Sequence, residues 1–188
     1  MTTQFMKSIL YFVKNPSKKI PALFELEEIV NADTKSGICD DILSSLNEYL
    51  DTCPGKSDIE EYNKQVRSLP FYAVFDGEKA VGFAALAPHN PYTAEILVLA
   101  VLEEVWRQGV GRILVSGCLD FCRENRMEFL TVKLPDETES EGHCKNVYSF
   151  YVNMGFRSIE RLPMFWGEDN PCLLMAKRVI MKVREVNK

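Results

Sequence analysis

Residues 106–112, Trp-Arg-Gln-Gly-Val-Gly-Arg, carry two glycines one residue apart. They stand between an apolar run, Ala94 to Val101, and a helical pattern that reaches about Asn125. The glycines remove side chains where the first backbone N–H groups of a helix lack partners. Free amides and the helix dipole both favour an anion, so this turn suits a phosphate or pyrophosphate. A dinucleotide-binding turn needs a third glycine, and Leu114 stands at that position. A P-loop needs Gly-x-x-x-x-Gly-Lys-Ser/Thr. Gly55-Lys56-Ser57 supplies only its tail, with Leu50 in the leading place. That tripeptide reads as a turn, with Ser57 capping a helix and Glu60 completing a capping box.

A second segment, Asn146-Val147-Tyr148-Ser149-Phe150-Tyr151-Val152-Asn153-Met154-Gly155-Phe156, reads as a short helix. Val147, Phe150, Tyr151 and Met154 share one face. Gly155 ends the helix as a left-handed residue, and Phe156 packs back beyond it. The Gly-x-Gly turn after a strand and the Asn…Phe-Tyr-x-x-x-Gly-Phe element, in this order, resemble the GNAT superfamily of N-acetyltransferases. The resemblance spans roughly Leu23 to Lys177. Trp106 stands where that family usually carries Gln or Arg, unless the loop is one residue shorter and Arg107 takes the place.

The resemblance implies an α/β fold: a mixed, mostly antiparallel sheet with one splayed parallel strand pair and helices on both faces. It implies acetyl-CoA as co-substrate, transfer of the acetyl group to an amine within a ternary complex, and no metal. The backbone amides of Gln108, Gly109, Val110, Gly111 and Arg112 would face the pyrophosphate, with Arg107 also in the cofactor site. The open edge of the strand at Leu99, Ala100 and Val101 would pair with pantetheine, and one N–H there would polarise the thioester oxygen. Asn146 would touch the pantetheine arm, or else cap its helix. Tyr151 takes the general-acid position; a phenol near pKa 10 suits a departing thiolate near pKa 8.5. Glu95 stands where several members place a catalytic glutamate. His89, between Pro88 and Asn90-Pro91, is a second candidate base, and His143, Glu103 and Glu104 read as solvated.

The acceptor is expected between the first helical pair and the last strand pair. Candidate wall residues are Tyr49, Asp51, Tyr72, Phe165, Trp166, Glu168 and Asp169. Aromatic rings with carboxylates suit a small cationic amine. A protein N-terminus or lysine is the alternative acceptor, and a non-catalytic acyl-CoA-binding module the alternative class.

Composition narrows the partners. The chain has 188 residues, is 46% apolar and carries a net charge of −5. It can bury one good core, and non-specific nucleic-acid binding is not expected. No apolar stretch is long enough for a membrane span, and Ile9 to Val13 is too short for a signal-peptide core. The six cysteines lack paired metal spacing and read as reduced thiols of a cytoplasmic protein.

The elements that must position the chemistry follow in order. Residues 1–22 form an N-terminal helical extension, with Phe5, Met6, Ile9, Leu10 and Val13 as an apolar stripe that packs on the body or on a second subunit. Residues 23–188 form a single domain. Leu23 to Val30 is a strand. Asp33 caps a helix with Ile38, Ile42, Leu46 and Leu50 inward, and a second helix aligns Ile59, Tyr62 and Val66. Phe71 to Phe75 and Ala80 to Leu86 form a hairpin about Asp76-Gly77. Strand 94–101, the long helix, strand Phe129 to Leu134, an acidic loop from Pro135 to Lys145 and the short helix follow. Phe156 to Phe165 and Cys172 to Lys177 close the chain as a strand pair.

Overall fold

A computed structural model describes residues 24–46, 56–136, 143–166 and 171–181, the side chains of 56–58 and 143–145 excepted. The stripe in residues 1–22 lies outside them, as do Tyr49, Asp51, Glu168, Asp169 and the middle of the acidic loop.

The elements run β1 (Phe24–Glu28), α1 (Ala32–Ser45), α2 (Lys56–Val66), β2 (Phe71–Asp76), β3 (Lys79–Asn90), β4 (Thr93–Val101), α3 (Val110–Glu124), β5 (Phe129–Pro135), α4 (His143–Asn153), β6 (Arg157–Leu162) and β7 (Cys172–Arg178). The seven strands of the described residues form one sheet in the order β1-β2-β3-β4-β5-β7-β6. Only β4 and β5 run parallel; the other pairs are antiparallel. This is the mixed sheet with one parallel pair that the sequence led us to expect.

Local chemistry explains the boundaries. The cap of α1 is Asn31, not Asp33: its side-chain oxygen accepts the amides of Asp33 and Thr34 at 3.0 and 2.9 Å. Asn is as good a cap as Asp, and here it stands one residue before the helix. The β2–β3 turn needs a left-handed residue, and Gly77 supplies it at φ 63°. Both faces of β3 are buried from Val81 to Leu86, so the sheet is covered on both sides. The helix α3 covers the face that carries Gly82, where an added Cβ would meet Val110 Cγ1 at 2.9 Å and Ala100 O at 3.0 Å. The opposite face of β3 and β4 is covered by α1, which packs on α2.

Two irregularities in register shape the centre of the sheet. Ala85 pairs with Val98 but Leu86 pairs with Ile96, so Leu97 is an extra residue on β4. Pro88 pairs with Ala94 and Asn90 with Thr93, so His89 is an extra residue on β3. Such bulges bend a strand and re-aim a side chain. His89 therefore belongs to a strand rather than to a loop.

Candidate active site

The parallel ladder between β4 and β5 is short. It runs from Thr93↔Phe129 to Ile96↔Val132 and stops. Beyond it, β4 stays on β3 as far as Val101, and β5 stays on β7 as far as Pro135. The two strands thus part just where Leu97 bulges. A fork opens in the middle of the sheet, with the start of α3 beyond its β4 arm.

Strand alternation says which backbone groups line the fork. The amide of Leu102 donates to Val81 O at 2.9 Å, which fixes the parity of the ladder. Ala100 and Val98 then point their backbone groups at β3, while Leu99 and Val101 point theirs into the fork. Of the three expected pantetheine residues, two face the opening and Ala100 faces β3. The carbonyl of Val101 is already taken by the indole N–H of Trp106, at 2.5 Å. Trp106 is buried. It stitches the tip of β4 to the turn instead of reaching outward.

The turn itself is a nest of amides. Arg107 (φ 64°) and Gly109 (φ 98°) both adopt the left-handed conformation, and Gly109 precedes the first residue of α3. The amide of Gln108 donates to Val105 O, and that of Arg112 to Gly109 O. Among the described residues the amides of Arg107, Gly109, Val110 and Gly111 meet no backbone acceptor. A Cβ on Gly109 would have no atom within 4 Å. Three consecutive N–H groups at a helix start without a backbone acceptor, the outermost of them on the exposed Gly109, fit an anion of pyrophosphate type. Gln108 and Arg112 lend this nest their position, but their amides are committed within the turn.

Glu95 lies below the fork on the face away from α3, because it pairs with Ala87 and Thr131 across the two ladders. It is not a solvated strand-end charge. Its side chain is 3% exposed, and its Oε2 is held by His89 Nε2 at 2.6 Å and by Lys133 Nζ. Lys133 is the first residue of β5 past the ladder, so its amine sits at the crotch of the fork. That amine also lies 5.2 Å from the centre of the Phe165 ring, a cation–π distance. Phe165 packs edge-to-face on Trp166, with centroids 5.6 Å apart. Phe165 thus lies on the same side as Glu95, with Trp166 against it. Next to them the buried Cys172 thiol is pushed up to about 12, by burial first, with Glu95 and Asp136 adding and Lys133 opposing. Asp136 is paired with Arg161.

Tyr72 does not join this wall. It pairs with Ala84, on the α3 face, and an added Cβ at Gly117 would lie 3.6 Å from its ring. The first residue of β2, Phe71, takes the other face, stacked on Phe83 at 5.1 Å. A one-residue change of parity carries an aromatic from one side of a sheet to the other. The sequence alone gave no anchor for that parity.

Tyr151 is wholly buried in α4, between Phe150 and Phe156, each with centroids 5.1 Å away in edge contact. Burial pushes its hydroxyl well above the ordinary phenol value, and the Cys118 thiol of α3 adds to the effect. It stays a protonated donor across the working range of pH. The helix that carries it is closed by Gly155 at φ 87° and by Lys177, whose amine donates to Met154 O at 2.5 Å. Burial, with Arg123 and Arg157 nearby, lowers that lysine from its ordinary value. Asn146 is exposed and lies three residues inside α4, so it is not the helix cap. Lys133, the second partner of Glu95, was not singled out by sequence. Its one signal was a basic residue in a mostly apolar strand.

The chain belongs to the GNAT acetyltransferase family: residues 37–157 match the model of the acetyltransferase (GNAT) family. It is therefore read as an acetyltransferase whose family co-substrate is acetyl-CoA. Solved structures share the fold. Ard1 from Thermoplasma volcanium superposes with a TM-score of 0.65 at 20% identity, covering 84% of this chain and 98% of that one. The ribosomal-protein-S18-alanine N-acetyltransferase from Escherichia coli gives a TM-score of 0.65 at 15% identity, over 88% and 100%. An aminoglycoside 6'-N-acetyltransferase complexed with coenzyme A gives 0.66 at 19%, over 85% and 99%. No curated protein sequence matches the chain. Among the described residues no helix is long and apolar enough to cross a membrane, and no cluster of His, Cys, Asp or Glu could hold a metal ion.

Proposed function

We propose that the protein transfers an acetyl group from acetyl-CoA to a primary amine on a small cationic acceptor, by direct attack in a ternary complex. The observation that carries this reading is the fork, with free backbone edges at Leu99 and Val101 and a charged, aromatic-walled cluster at its base. The amides of Gly109, Val110 and Gly111 hold the pyrophosphate. Leu99 and the amide of Val101 take the peptide-like arm as an added strand. Acetyl-CoA supplies an activated acyl group; the chain supplies placement and proton handling. The amine nitrogen forms a bond to the carbonyl carbon as the carbon–sulfur bond breaks. An N–H of β4 at the fork steadies charge on the carbonyl oxygen. Tyr151 gives its proton to the leaving thiolate, and the Glu95 cluster receives the proton of the attacking amine.

The cationic acceptor is favoured by the aromatic pair Phe165 and Trp166, of which Phe165 already lies 5.2 Å from the Lys133 ammonium, the kind of contact such an acceptor would use. The aminoglycoside enzyme of similar fold acts, by its name, on an aminoglycoside, and the ribosomal-protein enzyme on an alanine of ribosomal protein S18. Free-thiol release separates these acceptors. The panel is a polyamine, an amino sugar, an amino acid and a peptide with a free N-terminus, each with acetyl-CoA. We expect fastest release with the polyamine or amino sugar. Fastest release with the peptide moves the acceptor to proteins. Calorimetric binding of acetyl-CoA with no release from any amine makes the protein a non-catalytic acyl-CoA binder.

A further inference from the structure

We propose that His89 is the catalytic residue that removes the acceptor's proton, with Glu95 as the positioning carboxylate behind it and Lys133 as the clamp that pins Glu95. The proposal rests on the acetyl-transfer reading above and names the base within it.

Three side chains meet at one oxygen. Oε2 of Glu95 receives both His89 Nε2, at 2.6 Å, and Lys133 Nζ. They differ in access: the Glu95 side chain is 3% exposed, that of Lys133 18%, and that of His89 47%. A carboxylate held by an ammonium and an imidazole is a poor partner for a third, incoming ammonium. Its contacts are filled and its tip is out of reach. His89 is the member of the cluster that an acceptor can touch.

Charge fixes the tautomer. An ionised carboxylate only accepts hydrogen bonds, so Nε2 of His89 carries the hydrogen that points at Glu95. Its Nδ1 is then the lone-pair nitrogen. When an acceptor ammonium gives up a proton, Nδ1 takes it and the amine becomes the nucleophile. The resulting imidazolium lies against Glu95, which is the arrangement that favours it. The proton later passes to solvent from the exposed edge of the ring. His89 reaches this place because it is the bulged residue of β3, and its strand partner zone, Ala94 to Thr93, leads directly into Glu95.

The charged and titratable groups that face this dyad can be named from each neighbouring strand. They are Lys133 from β5, Cys172 from β7, Asp136 just past β5, and Arg161 from β6, which pairs with Asp136. Lys133 acts most directly, because it shares the same oxygen. It pins the carboxylate that orients the imidazole.

The test is kcat against pH with acetyl-CoA and the best amine of the panel, for the wild type, His89→Gln, Lys133→Met and Glu95→Gln. His89→Gln loses kcat near neutral pH by a factor on the order of 10² to 10⁴. What rate remains climbs only as the amine itself deprotonates, at about pH 10. Lys133→Met and Glu95→Gln lower kcat and leave KM for the amine unchanged, because they act through His89 and do not touch the acceptor. A merely structural role raises KM and weakens acetyl-CoA binding along with kcat. His89 is half-exposed, so its variant is expected to fold, and unchanged acetyl-CoA affinity by calorimetry checks it. If Glu95→Gln does not fold, the split between kcat and KM in Lys133→Met decides. A His89→Gln profile that overlays the wild type overturns the proposal while leaving acetyl transfer intact. No thiol release by the wild type with any amine overturns the acceptor reading, and the base assignment with it.

Discussion

The two faces of the sheet meet at one fork and carry opposite chemistry. Under α3 the face is closed: Tyr151, Tyr72, Cys118 and Cys122 are buried there among apolar side chains. Burial pushes all four hydroxyl and thiol groups up, so none ionises near neutral pH. On the other face Glu95, Lys133 and His89 form a charged cluster that opens to solvent through the imidazole. In the proposed reaction a proton donor on one face and a proton acceptor on the other would keep the two proton transfers apart, with the sheet as the partition and the fork open to both.

The sharpest way to break this contrast is Tyr151→Phe. Acetyl-CoA affinity should stay unchanged by calorimetry while kcat falls by a factor on the order of 10² to 10⁴. Turnover like the wild type would remove the phenol from the reaction and leave the dry face purely structural. Gly82→Ala tests how tightly α3 must seat on that face. Its Cβ would stand 2.9 Å from Val110 and 3.0 Å from Ala100 O, and the second of these is backbone. Overpacking of this kind costs about 1–3 kcal/mol, or a melting temperature lower by about 2–12 °C. Because Val110 opens the amide nest, acetyl-CoA binding should weaken too; tight binding at a lowered melting point would uncouple nest from seat. Trp106→Phe keeps the ring and removes the indole donor to Val101 O. A buried carbonyl left without its donor costs about 1–3 kcal/mol, and part of that should return on acetyl-CoA binding. A scan with and without the ligand reads both.

The smallest effect is alkaline. The thiols of Cys39 and Cys122 are raised from an ordinary value of 9.0 to about 12 and about 11. Folded, they keep their protons where the unfolded chain loses them. Their contribution is complete below about pH 9 and is lost as the pH climbs through the raised values. The melting temperature should therefore decline above about pH 9. A flat profile from pH 8 to 11 would mean that water reaches both thiols, Cys39 in α1 and Cys122 in α3.

The parts of this arrangement that were legible in the sequence are local. Gly109 and Gly111 after an apolar strand marked the amide nest, and Phe-Tyr…Gly-Phe marked α4 and its glycine stop. Turn chemistry at Gly77 gave the β2–β3 hairpin. The parts that were not legible depend on register. The burial of Glu95 needs a lysine 38 residues away on β5, and no spacing rule links them. The side on which Tyr72 lies follows from the parity of β2 against β3, which its own residues do not declare. The extension of β3 through Pro88 and His89 was hidden because proline ordinarily argues against a strand. Here a bulge accommodates the irregularity. The cap of α1 was missed by two residues because Asn31 and Asp33 carry the same kind of signal.

Leu97 has a consequence for how this protein tolerates change. It is the one residue of β4 with no partner on β3. Removing it would let Val98 follow Ile96 in step, with β4 free to go on zipping against β5 past Val132. The side chains above that point would keep their faces, because Ile96 and Val98 already pair with Leu86 and Ala85 on opposite faces, but the gap between β4 and β5 would close. A single deletion at this spot should cost the chain its reaction while sparing much of its sheet, so insertions and deletions here deserve more suspicion than substitutions at many better-buried positions.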